Sequence, residues 1–333
     1  MRLKEVETHF ADLRPSKAQE PARDLSATKV LPLDGIGFAD AARFGVKTAN
    51  IATLRALGFP EGTVPNGVGV PLYFYDAFMK HNGFYAEAEA LLRDSEFQDN
   101  YDTREAKLKG FRERIEKAEM PTWMMDALSQ VQNSFPEGTS LRCRSSTNNE
   151  DLPDFSGAGL YDSYTHHPEE GHLSKSIKQV FASLWNFRAF EAREFYRINH
   201  FATAMGVLVH PNFANELANG VAVTDDVVYQ TVGNYYLNTQ VGEDLVTNPE
   251  QQSIPEEVLM DWWDSTNYRT EDNKRILTDA YLHELSRYLM VIHNKFSQLY
   301  GPAGQTADFA MEIEFKITNE GKLSIKQARP WAQ

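Results

Sequence analysis

The chain has 333 residues, of which 42% are hydrophobic and 24% charged, and a formal net charge of −14. That length supports two or three subdomains with a real core, and the balance is that of an ordinary soluble globular chain. The acidic excess argues against a nucleic-acid partner, which would call for a basic face, and no stretch approaches the ~20 apolar residues of a membrane span. Cys143 is the single cysteine, so no intrachain disulfide forms, and the first thirty residues carry no apolar run of signal-peptide type. A cytoplasmic location is the expectation.

Residues 1–34, charged with scattered prolines, read as an arm or extension. Gly45-Val46-Lys47 then opens a helical pattern through Ile51, Leu54 and Leu57, closed by Gly58 and Pro60. "TVPNGVGVPLYFYDAFMKHNG" predicts a turn, a short strand and a helix ending at Gly83. Residues 84–134 are helical by pattern, and "TSLRCRSS" reads as a buried strand running into a loop. "LSKSIKQVFASLWNFRAFEAREFYRIN" predicts one long helix with Ile177, Val180, Phe181, Leu184 and Phe187 facing a core. Strand patterns follow in "MGVLVHP", "GVAVTDD", "VVYQTVG" and "YYLNTQVG". A helix is predicted over "EDNKRILTDAYLHELSRYLMVIHNKFSQLYG", and a hairpin closes the chain, "MEIEFKI" turning at Asn319-Glu320-Gly321 into "LSIKQA". Strands mixed with long helices, without regular β-α-β alternation, predict an α+β fold.

Three places carry chemistry. Glu312 and Glu314 stand two apart on a predicted strand and therefore share a face; Gln327 and Arg329 do the same on the partner strand. Two carboxylates with an amide oxygen suit Mg²⁺, and a guanidinium beside them suits a phosphate. By itself, the hairpin also fits an exposed strand face with ordinary charges. Lys47 follows a glycine near a predicted helix start, where a lysine acts as a point charge on phosphate; a plain surface lysine fits the same pattern. Arg144 closes a buried strand and enters "DFSGAGLYDSY". A buried arginine calls for an anion, and Gly157 and Gly159 let backbone N–H groups approach one closely. Together these describe a site for Mg²⁺–nucleotide.

The same segments resemble a known family. "GVKTANIATL", "VPNGVGVPLYFYDAF", "RSSTNNEDLPDFSGAGLYDSY", "FASLWNFRAFEAREFYR", "GVLVHP", "NGVAVT", "QVGEDLV" and "EIEF…GKLSIKQARPW" follow, in order and spacing, the nucleotide-binding domain of the dikinases. That group includes pyruvate phosphate dikinase, phosphoenolpyruvate synthase, rifampicin phosphotransferase and glucan, water dikinase; the "AGLYDS" form is nearest in motif to the glucan dikinase branch. The resemblance runs from about residue 35 to 331. It implies an ATP-grasp-like fold of two lobes with ATP between them. Residues 35–200 would form the lobe with the basic residues and glycine loop, and residues 201–333 the lobe with the adenine hinge and metal hairpin.

The site residues implied by the resemblance are specific. Lys47 and Arg144 would contact the ATP phosphates. Gly159, Asp162 and Ser163 would lie in the phosphate-covering loop, and Val207, Val209 and His210, within Val207 to Pro211, beside adenine. Glu312, Glu314 and Gln327 would hold Mg²⁺, and Arg329 would join Lys47 and Arg144 in stabilising charge on the transferred group. His210 stands where relatives often carry Gln, and Phe315 where Trp is frequent. Arg188 and Arg197 fall on the family's Arg-rich helix, where structural salt bridges are an equal reading. In the dikinases, a histidine on a separate swivelling domain takes a phosphoryl group from ATP. No segment here resembles that domain, and His166-His167 reads as structural, in an ordinary loop. The phosphohistidine domain is therefore an expected partner, supplied in cis or in trans. The alternatives are a nucleotide-binding module without chemistry and a stand-alone ligase acting through an acyl phosphate.

Overall fold

The computed structural model describes residues 13–150, 152, 155, 157, 159–242, 254–261, 266–269 and 275–331. The chain divides into two compact units, one within residues 1–49 and 67–212, the other within 50–66 and 213–333. Both combine helices with an antiparallel sheet, an α+β architecture. Among the described residues no helix is long and apolar enough to cross a membrane.

The first unit holds a five-stranded sheet: β1 (Leu31–Pro32), β2 (Val68–Val70), β3 (Leu141–Thr147), β4 (Tyr164–His166) and β5 (Met205–Pro211), in the order β1-β2-β5-β3-β4. Strand β3 alternates as a half-buried strand should. Leu141 and Cys143 enter the core, while Arg142 and Arg144 turn to the opposite face. The core is closed by α3 (Leu72–His81), α6 (Tyr101–Lys117), α7 (Thr122–Asn133) and α8 (Ser174–Ser183), through residues such as Phe78, Phe111, Leu128 and Phe181. Before these helices lie α1 (Ala41–Phe44) and α2 (Val46–Arg55); α4 (Phe84–Arg93) and α5 (Ser95–Asp99) link α3 to α6.

The long helix expected after Leu173 is two helices, α8 and α9 (Phe187–Phe195). Periodicity continues across the break, but tertiary partners end it. Trp185 is buried, its indole N–H donating to the Tyr75 hydroxyl at 3.0 Å. Asn186 adopts φ −54°, ψ 139°, and its amide donates to the Leu160 carbonyl and the Asp162 carboxylate, both at 3.1 Å. His166 lies in strand β4 rather than a loop. Its buried ring bonds Ser176 Oγ at 3.0 Å and the Gly171 carbonyl at 3.2 Å, a structural role.

The second unit carries a six-stranded sheet of β6 (Ala218–Val223), β7 (Tyr235–Val241), β8 (Glu256–Met260), β9 (Thr266–Arg269), β10 (Met311–Ile317) and β11 (Leu323–Pro330), ordered β11-β10-β6-β7-β8-β9. Helix α10 (Asp279–Leu299) buries Leu285, Leu289, Ile292 and Phe296. It starts at Asp279, capped by Thr278, and so later than its apolar pattern suggested; residues 271–274 of that expectation lie outside the described residues. "VVYQTVG" is a turn and not a strand. The Asp226 carboxylate collects the backbone N–H groups of Val228, Tyr229 and Thr231 at 2.9–3.2 Å, an Asp-centred turn that outcompetes β pairing. Strand β8 is disguised by an inward glutamate: Glu256 is buried beside Val258 and Met260, its carboxylate accepting from Ile276 N and Leu277 N.

Candidate functional site

Two polar poles, one in each unit, contain the residues singled out by sequence. The first is built where α2 begins. Gly45 has φ +83°, and a Cβ there would stand 1.9 Å from the Ser146 carbonyl oxygen. Only glycine combines that backbone with such close approach. Gly206 shares the close approach alone: a Cβ there would stand 2.4 Å from the Phe44 carbonyl oxygen. The approach lets Ser146 Oγ accept from Thr48 N at 2.9 Å and sets Lys47 over the end of β3. Lys47 Nζ meets Glu150 Oε1 at 2.8 Å; their side chains are 16% and 8% exposed.

Arg144 lies three residues before Thr147 on the same strand, half-buried, with Leu208 as its partner on β5. Arg142 shares its face, pairs with His210 across the strands, and donates to Thr165 Oγ1 at 3.0 Å. On the far side of β3, burial pushes the Cys143 thiol up to about 12, which removes it as a thiolate nucleophile.

The glycine segment returns to this strand. Gly159 takes φ +67° with open space at its Cβ position. Ser163 Oγ accepts from Ser145 N at 3.4 Å. Asp162 is engaged with Asn186, with Tyr164 Oη at 3.4 Å and with Arg112 at 3.5 Å. Asp154, Ser156 and Ala158 of the quoted loop lie outside the described residues.

Val207 and Val209 are fully buried in the core, and β5 has ladder partners on both flanks, β2 and β3. His210, also buried, is on the opposite face with Arg142, its Nδ1 bonded to the Pro211 carbonyl at 2.7 Å. All three belong to the first unit's sheet.

The second pole is the C-terminal hairpin. Glu312 pairs with Arg329, and Glu314 with Gln327, so the four side chains share one face of β10 and β11. The guanidinium of Arg329 binds Glu312 Oε1, its Nε at 3.0 Å. A register shift after Glu314 puts Lys326 on a bulge, 3.4 Å from Glu314 Oε2. The donor set fits Mg²⁺, being two carboxylates and a carboxamide, all oxygen. Among the described residues no three His, Cys, Asp or Glu side chains gather at one point, so remaining ligands would come from water or substrate.

Two participants were missed by sequence. Lys326 was hidden by the bulge, which breaks the two-residue period. Glu150 was hidden by distance, since its partner is 103 residues away. The Thr-x-x-Glu spacing of Thr147 and Glu150 was the available signal: it is the capping-box pattern, and Thr147 N does donate to Glu150 Oε1 at 3.2 Å. Arg197, set beside Arg188 on the Arg-rich helix by sequence, falls just after α9 in a left-handed conformation, φ 55°, and donates to the Ser16 carbonyl at 2.7 Å.

The chain is similar to several known proteins. Phosphoenolpyruvate synthase of Pseudomonas aeruginosa is 25% identical over 342 residues, which cover 90% of this chain and 42% of that protein. The Aquifex aeolicus synthase is 28% identical over 349 residues, covering 92% and 40%. The chain thus spans about two-fifths of the length of the curated relatives it matches. Among solved structures, D-alanyl-alanine synthetase A of Vibrio cholerae is 10% identical over 62% of this chain and 46% of that one, with a TM-score of 0.29. The family model for the pyruvate phosphate dikinase AMP/ATP-binding domain matches residues 41–261, more than half of the chain. That span takes in Lys47, Glu150, Arg144 and the glycine segment, and the chain belongs to the pyruvate phosphate dikinase AMP/ATP-binding domain family.

Proposed function

We propose that this chain is the ATP-binding unit of a dikinase-type phosphotransferase, with an ATP-grasp-like fold. It binds Mg²⁺–ATP and passes a phosphoryl group to a histidine on a separate domain. The observation that carries the reading is the in-register face of Glu312, Glu314, Gln327 and Arg329, in a chain of this family. Glu312, Glu314 and Gln327 would hold Mg²⁺, which when bound neutralises phosphate oxygens and orients them. Arg329 would exchange its carboxylate partner for a phosphate oxygen, as a guanidinium does readily in bidentate fashion.

In the first unit, Lys47 and Arg144 supply positive charge for the phosphates, and Gly159, Asp162 and Ser163 shape the covering segment. Asp162 and Ser163 serve by holding that segment to Asn186 and Ser145. Beside the base, the buried Val207 and Val209 support the strand, and His210, on the arginine face, is the polar group available. Catalysis then rests on positioning and on electrostatic stabilisation of the transferred group.

Calorimetric titration of Mg²⁺–ATP tests this reading, with Lys47→Ala, Arg144→Ala and Glu314→Gln alongside. Saturable binding that each of the first two substitutions weakens at least about tenfold supports it; a folded parent chain that binds nothing overturns it. One observation favours a second reading, a nucleotide-binding module without chemistry. The hairpin face neutralises itself, Arg329 on Glu312 and Lys326 on Glu314. Turnover with an added phosphohistidine domain, lost in Glu314→Gln while ATP binding persists, decides for catalysis.

A further inference from the structure

We propose that Glu150 is a positioning residue that fixes the ammonium of Lys47 for phosphate, an assignment that rests on the ATP-binding reading above. Glu150 does not move freely to meet Lys47. Its Oε1 also accepts from Thr147 N at 3.2 Å, which ties the carboxylate to the end of β3. Thr147 is tied in turn: its hydroxyl donates to Asn149 Oδ1 at 2.6 Å, and Asn149 Nδ2 donates to the Tyr161 hydroxyl at 2.9 Å. Tyr161 belongs to the glycine-containing segment, and burial raises its pKa, so its hydroxyl keeps its proton. Gly157 of the same segment rests on the Glu150 stem; a Cβ there would come within 2.9 Å of Glu150 Cγ. Glu150 therefore sits at the junction of the strand end, the glycine segment and the lysine.

The burial order gives the direction of the effect. The carboxylate side chain, 8% exposed, lies deeper than the lysine at 16%. An ammonium has three N–H donors, and Glu150 takes one, leaving two for the solvent side. A carboxylate set behind the ammonium and anchored by a backbone N–H acts as a fixed post. It holds the flexible four-carbon stem in one rotamer, so that less conformational freedom is lost when phosphate arrives. Glu150 itself touches no phosphate, since two anions would repel.

Two measurements on the full chain test this. The first needs no nucleotide: acetylation of Lys47 by an amine-reactive ester, followed by peptide mass spectrometry. Glu150→Ala is expected to speed Lys47 acetylation about fivefold by removing a charge-assisted hydrogen bond, with Glu150→Gln in between because its amide oxygen still accepts. The second is Mg²⁺–ATP calorimetry. Glu150→Ala is expected to weaken binding about tenfold, Glu150→Gln to restore part of it, and Glu150→Ala to add nothing in a Lys47→Ala background. Thermal unfolding confirms that each variant is folded, and Glu150→Gln carries the test if the alanine variant is not. Unchanged Lys47 acetylation overturns the pairing. Tighter ATP binding by Glu150→Ala overturns the positioning role and makes Glu150 a competitor for Lys47. Additive loss in the Lys47→Ala background overturns action through Lys47. If the folded parent binds no ATP, the functional reading fails and the phosphate role fails with it, while acetylation still decides whether the pair forms.

Discussion

The two polar poles reach a similar outcome, charges held in a fixed pattern, by opposite routes. In the second unit Glu312 and Arg329 are 17 residues apart on one hairpin, and strand periodicity with a tight turn is enough to align them. In the first unit Lys47 and Glu150 are 103 residues apart, and their meeting depends on a helix start docked into a sheet through Gly45 and Gly206. A pole made from local pairing tolerates distant change. A pole made by docking fails when the dock fails, even if every charged residue is kept.

Glycine substitution gives the sharpest break in that comparison. Gly45→Ala places a methyl group against a backbone oxygen in a left-handed conformation, and should cost about 4 kcal/mol in urea unfolding while lowering ATP affinity through Lys47. Gly62→Ala in the second unit also has positive φ, but open space around it, and should cost only about 1 kcal/mol with no effect on binding. Equal costs at the two positions would remove the contrast.

Acid should also act on the first unit, through His200. Its Nδ1 receives Arg193 Nε–H at 2.9 Å and its Nε2 faces Glu194 Oε1 at 2.6 Å. Because arginine only donates, Nδ1 must accept, so the ring is neutral with its proton on Nε2. Burial, chiefly, pushes His200 down to about 4, with Arg193 adding to it and Glu194 opposing. The unfolded chain then binds the extra proton first. Stability is intact above the ordinary histidine value near 6.5 and falls by about 3 kcal/mol as pH drops through that value to 4. Unfolding curves at stepped pH check this, and His200→Gln should flatten the slope.

Binding effects come next in size. Lys47→Ala should lower Mg²⁺–ATP affinity about thirtyfold, the loss of one charge-assisted phosphate contact, without changing the hairpin. Lys326→Ala should have the smallest effect, about twofold, because its pair with Glu314 is partly exposed and sits on a bulge. A larger loss with Lys326→Ala than with Lys47→Ala would reverse the ranking of the two poles.

Some of this was legible in the residues. The strand patterns of β3, β5, β6, β7 and the final hairpin, and most of the helices, followed from apolar spacing. The reading failed where a tertiary partner overrode a local pattern. Trp185 and Asn186 split a continuous helical period, Asp226 wound a β-like run into a turn, and Glu256 hid a strand by pointing inward. Lys326 was missed because a bulge cannot be seen in alternation alone.

The sequence by itself determined the α+β character, the family, and the shared face of Glu312 and Glu314. Those follow from period, spacing and the order of the motifs. Only the tertiary structure decided that Lys47 is held by Glu150, that Val207 and Val209 are core while His210 shares the arginine face, and that Arg193 donates to a neutral His200. Each of those depends on groups far apart in the chain meeting at hydrogen-bond distance, which local sequence does not encode.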